Sequence, residues 1–265
     1  MKRRKLLPKA TTNNSGIVLL AKRPGRTSFS SLYTIKKALK TTKVGHTGTL
    51  DSFASGLLVV CTGYLTRLAS RITAFDKTYQ AVIKFGEETD TLEYTGKIIR
   101  TSLLPEKKAV EEALEKWSGK IMQVPPAFSA LHLNGKRASD LARSGREAVL
   151  PARPVEVFSY KLLDSAFDEN KKVTACLVEF SVSKGTYIRS LARDIANSCG
   201  SSAHLVGLRR THVGNFSLEN AAGFSALQEF SIESAFEDVR KFRESLQDVP
   251  QKTEQDKKST EIGRA

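Results

Sequence analysis

The order in which apolar segments follow one another is what most limits the fold of this chain. Gly16–Ala21 and Gly56–Cys61 are short continuous apolar runs and read as buried strands. Lys77–Phe85 alternates, with Tyr79, Ala81, Ile83 and Phe85 on one face and Thr78, Gln80, Val82 and Lys84 on the other, the pattern of a half-buried strand. Further strands are predicted at Gly119–Val124, Phe128–Leu133, Val155–Leu163, Val173–Val182 and His204–Val213. Helical spacing is found in Ser30–Lys40, in Leu65–Ile72, in Pro105–Trp117, in Arg137–Arg143 and in Thr186–Ser198, the last closed by Gly200. Strands and helices are interspersed without a βαβ period. The expected fold class is therefore α+β, with a mixed, mainly antiparallel central sheet and packed helices.

Composition narrows the partner. The 265 residues hold 42 Lys+Arg against 28 Asp+Glu, a net charge of +14, with 40% apolar residues, enough for a core. Such a balance points to a polyanion, with nucleic acid the default. The distribution is uneven. Residues 1–50 carry twelve Lys and Arg and no acid, where the average composition predicts about five acids. The first carboxylate is Asp51. No apolar run is long enough to span a bilayer. Cys61, Cys176 and Cys199 are odd in number and scattered, so no disulfide framework is expected and the compartment reads as cytoplasmic. No metal-ligand spacing, P-loop, dinucleotide fingerprint or Gly-x-Ser-x-Gly elbow occurs. Neither a metal nor a cofactor is expected.

Four segments carry candidate chemistry. Gly45-His46-Thr47-Gly48-Thr49-Leu50-Asp51 is a glycine-punctuated loop in which Asp51 either caps the following turn or serves as a nucleophile or base on a basic surface. Lys184-Gly185-Thr186-Tyr187-Ile188-Arg189 ends a strand and opens a helix. A cation in a first helical turn opposes the helix dipole, so Arg189 is either a plain surface residue or the partner of a specific anion such as Asp51. Asp76-Lys77-Thr78-Tyr79 places an aromatic at a strand start, as a core residue or as a platform for an exposed base. Gly207-Leu208-Arg209-Arg210 is a basic strand end, whose plainer reading is a solvated edge.

Taken together, these segments resemble the TruB family of tRNA pseudouridine synthases, from about Gly16 to Ala221. The Gly45–Asp51 loop with Ala54 and Gly56 resembles the family's catalytic motif. Asp76–Tyr79 resembles its second motif, followed by Thr89-Asp90-Thr91. Gln123-Val124-Pro125-Pro126, Phe128-Ser129-Ala130, Gly135-Lys136, Ala142-Arg143 and Arg153-Pro154 resemble its middle signature, and Ser183–Arg189 with Leu208-Arg209-Arg210 completes the set. The resemblance implies the pseudouridine synthase fold and isomerisation of uridine to pseudouridine at position 55, in the T-arm loop of tRNA, without cofactor. It implies Asp51 as nucleophile, Tyr79 stacking on the flipped base, Arg189 paired with Asp51, Tyr187 and Leu208 lining the uracil pocket, and His46 filling the space the base vacates. A non-catalytic tRNA-binding or tRNA-folding protein on the same scaffold is the alternative.

Departures from the family pattern are Ala21 where Asp is common, Ser52 where Pro follows the catalytic Asp, and Ser139 and Leu141 where aromatics are frequent. The organisation expected is a basic flexible segment over 1–14, a catalytic domain over 15–230, and a helix and disordered tail over 231–265 without a PUA domain. The partner expected is tRNA alone, with no membrane, no obligatory protein and a monomeric state. If basic groups track phosphates, RNA affinity falls steeply with ionic strength. Equilibrium binding across a salt series checks this, and a flat response contradicts it.

Overall fold

The computed structural model describes residues 14–133, 135–146 and 150–247. Residues 1–13 of the start expected to be flexible, and most of the polar tail expected from composition, lie outside them. In chain order the elements are β1 (Gly16–Lys22), α1 (Ser28–Ala38), β2 (Val44–His46), β3 (Ser55–Thr62), a 3-10 segment (Gly63–Leu68), α2 (Ala69–Thr73), β4 (Lys77–Phe85), β5 (Glu87–Thr89), β6 (Ile98–Thr101) and α3 (Lys107–Lys116). There follow β7 (Gly119–Gln123), β8 (His132–Leu133), β9 (Lys136–Arg137), α4 (Ala138–Arg143), β10 (Arg153–Phe167), β11 (Val173–Val182), α5 (Ile188–Ser198), β12 (Ala203–Val213), β13 (Phe216–Ser217) and α6 (Ile232–Gln247).

One sheet organises the molecule. Its order is β1-β3-β12-β4-β11-β10-β7, with β2 beside β3 and β13 beside β12. Among the described residues, every pairing between these named strands is antiparallel except β3 with β12, which run parallel where Arg209 meets Ser55 and Arg210 meets Gly56. That one parallel contact brings two distant sequence segments, 48–56 and 208–210, to the same place. A mixed, mainly antiparallel sheet with packed helices is the class expected from the segment order.

Each face of the sheet has its own cover. Ala81, Ile83, Val178 and Phe180 point to α3 and α5, meeting Val110, Leu114, Leu191 and Ile195. These side chains sit at i, i+3 or i+4 spacing on the helices and at alternate positions on the strands, so each element needs only one apolar face. Helix α5 ends where Gly200, at φ +68°, adopts a conformation costly for other residues and lets Ser201 N–H reach Ala196 O at 2.9 Å.

On the opposite face the sequence reading needs correction. Val82 reads as an outward residue of a half-buried strand, yet it is fully buried with Ala175, Leu177 and Val206 beneath Ile232, Ala235 and Val239 of α6. The packing runs on from α6 into the interior through edge-to-face aromatic contacts. Phe242 meets Tyr94 at 5.3 Å between ring centroids, and Tyr94 meets Phe53 at 5.8 Å. Packing thus continues past the expected limit at 230, as far as Phe242 of α6.

Smaller differences have local causes. Phe128–Leu133 is strand only at His132–Leu133, because Ser129 and Leu131 turn back to bond Ser139 and Ala138. Leu65–Ile72 splits into a 3-10 segment and one short turn of α2. The segment Thr41–Leu50 contains the short strand β2, held against β3.

At Gly207 of β12, α6 and the segment before it press close to the sheet. A β-carbon there would lie 2.8 Å from Ala235 Cβ and 3.2 Å from the Phe230 ring. Gly207→Ala is expected to lower unfolding free energy by about 1–3 kcal/mol through overpacking, read from urea denaturation.

Candidate active site

The loop from Thr47 to Ala54 joins β2 to β3 and carries Asp51. It is tied down at both ends. Thr47 N–H donates to Val59 O at 2.9 Å, and Ser28 Oγ at the start of α1 accepts from Leu50 N–H at 2.8 Å and donates to Leu50 O at 2.9 Å. Leu50 and Phe53 are buried on either side of Asp51, which leaves the carboxylate as the loop's projecting group. Two buried cations collect the loop's carbonyls. Arg210 donates from Nε to Leu57 O at 2.8 Å, from Nη2 to Gly48 O at 3.2 Å and from Nη1 to Thr49 O at 3.5 Å. Lys22 Nζ donates to Ser52 O at 3.1 Å, Arg26 O at 2.6 Å and Arg23 O at 3.1 Å. A buried cation needs such acceptors, because desolvation without them is prohibitive.

The Asp51 carboxylate does not cap a helix. It accepts a bidentate pair from Arg189, Nε to Oδ2 at 2.9 Å and Nη2 to Oδ1 at 3.1 Å. The same guanidinium donates from Nη1 to Thr91 O at 2.8 Å and from Nη2 to Phe128 O at 3.0 Å. Arg189 therefore joins the catalytic-type loop, the Thr89–Thr91 segment and the Phe128–Ala130 segment. Its own side chain is 5% exposed against 34% for Asp51, so the pair is open to a ligand only from the carboxylate side. Fork-to-carboxylate geometry fixes the orientation of both partners.

Tyr187 is placed by Gln123, which is buried at the end of β7. Gln123 Oε1 accepts from Tyr187 N–H at 2.8 Å, and its Nε2 donates to Tyr187 O at 3.2 Å. Partial burial pushes the Tyr187 hydroxyl pKa up. Asp51, Tyr79, Tyr187, Arg189 and Leu208 all line one cavity of about 740 Å³, with Lys77, Ser139, Lys184 and Arg210 also in its wall. His46 is not in that wall. It sits at the end of β2 with a buried Nδ1 that has no hydrogen-bond partner among the described residues, and burial lowers its pKa, with Arg210 adding to the effect.

Comparison with known proteins bears directly on this arrangement. Residues 36–188 match the model of the TruB family pseudouridylate synthase N-terminal domain. A Treponema denticola protein described as tRNA pseudouridine synthase B is 48% identical over 83% of this chain and 65% of its own length. A Bordetella parapertussis protein of the same description is 43% identical over 80% of this chain and 86% of its own length. The chain belongs to the TruB family. It spans 65% of the length of the Treponema denticola relative and 63% of the Treponema pallidum ones. Among solved structures, a chain in a crystal structure of a Cbf5-Nop10-Gar1 complex superposes with a TM-score of 0.60 at 26% identity, covering 86% of this chain and 59% of that one.

The family motifs account for the cavity's main residues, but residue-level reading missed its supports. Arg210, read as a possible solvated strand end, is 1% exposed. The signal was available in the strand parity: Leu208 and Arg210 share a face, as do Lys77 and Tyr79, and those faces meet the cavity. Lys22 and Lys77 are pushed down to about 8, chiefly by burial. Glu93 gave no local signal at all. Burial raises its carboxyl to about 7, with the Thr95 hydroxyl bond opposing, the Asp51 charge adding and the Arg189 charge opposing. The departure at Ser52 is absorbed by the backbone, since its carbonyl, not its side chain, accepts from Lys22 and from Gly25 N–H at 2.8 Å.

Two outcomes follow from these contacts. Gly56 has φ +115°, and a β-carbon there would lie 2.3 Å from Arg210 O across the parallel contact. Gly56→Ala is expected to cost about 3 kcal/mol or more of unfolding free energy from strain and overlap together, read from denaturant unfolding. Glu93 titrates higher folded than unfolded, so its contribution to stability is complete below about 4.5 and lost as pH rises to about 7. In Glu93→Gln that fall is expected to disappear from the pH profile of unfolding free energy. An unchanged profile would contradict the raised carboxyl.

Proposed function

We propose that this chain isomerises uridine to pseudouridine at position 55, in the T-arm loop of tRNA. The observation that carries the reading is the Asp51 carboxylate held bidentate by Arg189 in the wall of a basic cavity that also presents Tyr79, Tyr187 and Leu208. The relatives described as tRNA pseudouridine synthase B support the same reading.

The reaction breaks the C1′–N1 bond of uridine and forms C1′–C5. The C5 proton leaves, and N1 ends protonated, so no atom is gained or lost and no oxidant enters. The uracil must leave the base stack to be reached, and a cavity of this volume accommodates a flipped nucleotide. Asp51 is the nucleophile in this reading, presented by a loop whose carbonyls are already satisfied by Arg210 and Lys22. Arg189 orients it. Tyr79, on β4 in the same cavity wall as Asp51, stacks on the detached uracil, and the Tyr187 and Leu208 side chains line the pocket around it. The Tyr187 and Leu208 side chains limit the access of water to the cleaved intermediate. His46, outside the cavity wall, fills the space that the target base vacates when it flips. The groups lining the cavity supply this chemistry without a metal or an organic cofactor.

The partner in this reading is tRNA, bound by the chain alone as a monomer, and the place of action is the cytoplasm. Among the described residues no helix is long and apolar enough to cross a membrane.

Unmodified tRNA transcript incubated with the purified chain alone, then mapped by mass for pseudouridine, tests activity, position and cofactor independence at once. Product at position 55 is expected, and its absence sinks the proposal. Asp51→Asn should lower turnover at least about a thousandfold while the variant still melts and binds tRNA like the parent. Arg189→Lys, which keeps the charge but loses the fork, should lower turnover about a hundredfold.

A further inference from the structure

Helix α1 carries a surface that the cavity does not use. Its inner face buries Leu32 and Ile35 against Leu58 and Val60 of β3. Its outer face presents Phe29 and Tyr33, one turn apart and 71% and 70% exposed. Large rings this open are unusual on a chain with no other use for them. The next turn of the same helix brings Lys36, whose Nζ lies 5.1 Å from the Phe29 ring centroid. The arrangement repeats near the helix's far end. Asn14 Nδ2 donates to Leu39 O, and the neighbouring Ser15 Oγ accepts from Tyr64 N–H. Tyr64 is 67% exposed, and Lys43 Nζ lies 5.1 Å from its ring centroid. Residues 14–50 contain no carboxylate to neutralise these ammonium groups.

The position is as informative as the composition. The start of α1 is fastened to the catalytic-type loop through Ser28 and Leu50, and no residue of α1 lines the cavity. The rings therefore begin beside the Asp51 loop and run away from it along a helix of eleven residues, about 16 Å.

We propose that the outer face of α1, with Tyr64 at its end, is a stacking platform for unpaired bases of the substrate RNA outside the reaction cavity. The Phe29 and Tyr64 rings each offer one face to an ammonium and leave the other for a planar partner, and Tyr33 stands open to the solvent. An ammonium beside a stacking ring can also pair with the phosphate of the base stacked there. Charge complementarity selects a polyanion, and the exposed rings select bases that are not already covered by pairing. A duplex hides its base faces and could use only the lysines. A protein partner would need an apolar patch that ammonium groups do not interrupt. The inference rests on tRNA being the substrate.

The test uses the full chain and measures equilibrium affinity for unmodified tRNA transcript and for a fully paired RNA duplex of similar length. Variants are Phe29→Leu/Tyr33→Leu, Tyr64→Leu and Lys36→Gln, each checked for an unchanged melting temperature. Leucine keeps helix propensity and apolar bulk but removes the ring. The double variant is expected to bind tRNA at least tenfold more weakly, with the same slope of log affinity against log salt and the same duplex affinity. Tyr64→Leu is expected to lose several-fold in the same way. Lys36→Gln is expected to make the salt slope shallower by about one. Ring variants within twofold of the parent on tRNA would overturn the platform. So would an equal loss on duplex, or rings that prove to hold two copies of the chain together in sedimentation without RNA. Pseudouridine formation by the parent chain is measured in parallel. Ring-dependent binding without product overturns the enzyme reading and spares the platform, whereas product with ring-independent binding does the reverse.

Discussion

A guanidinium buried at the start of a helix is an expensive object, because the helix dipole opposes its charge and the interior gives it no water. Arg189 is in that position and is stable there because each of its three nitrogens donates to an oxygen: both oxygens of Asp51, the carbonyl of Thr91 and the carbonyl of Phe128. Those acceptors come from three segments distant in sequence, so satisfying one side chain fixes the relative placement of all three. The cavity exists in its observed form because those demands coincide. The carboxylate that completes the set is also the group left facing the cavity, which is how one interaction serves both the fold and the chemistry.

The same logic operates one layer out. Arg210 and Lys22 hold the carbonyls that flank Asp51, and Lys77 Nζ donates to the carbonyls of Thr73 and Phe75 at 2.6 and 2.5 Å. The basic excess of the chain is thus not all a surface for RNA. Part of it is structural, spent inside on loops whose backbone would otherwise lack donors. The remainder divides again: ammonium groups beside exposed rings on α1, and cations in the cavity wall. Charge counts alone cannot separate these uses, because the same lysine is a phosphate contact when solvated and a loop brace when buried.

Helix α6 shows how far the site's support reaches. Through Phe242, Tyr94 and Phe53, its packing ends two residues from Asp51. Its sequence, close to neutral and moderately apolar, resembles an appendage more than a core element. Only the far face of the sheet, where Val82 and Val206 need cover, makes it part of the body.

The sequence by itself determined the strands with strong periodicity, Lys77–Phe85 and Val173–Val182, the helical stretch into Arg189, and the motif residues that meet in the cavity. Those are local patterns or ordered signatures, and each can be read without knowing its neighbours. It overextended the strand at Phe128–Leu133, where Ser129 and Leu131 bond the start of α4 and only His132–Leu133 pairs with a strand, and it was silent on Glu93 and undecided on Arg210. What the tertiary structure alone decided is which cations are buried, which face of β4 is covered, and that Gly56 and Arg210 meet across the one parallel pairing in an antiparallel sheet. Burial and register arise between segments, and no property of either segment taken singly contains them.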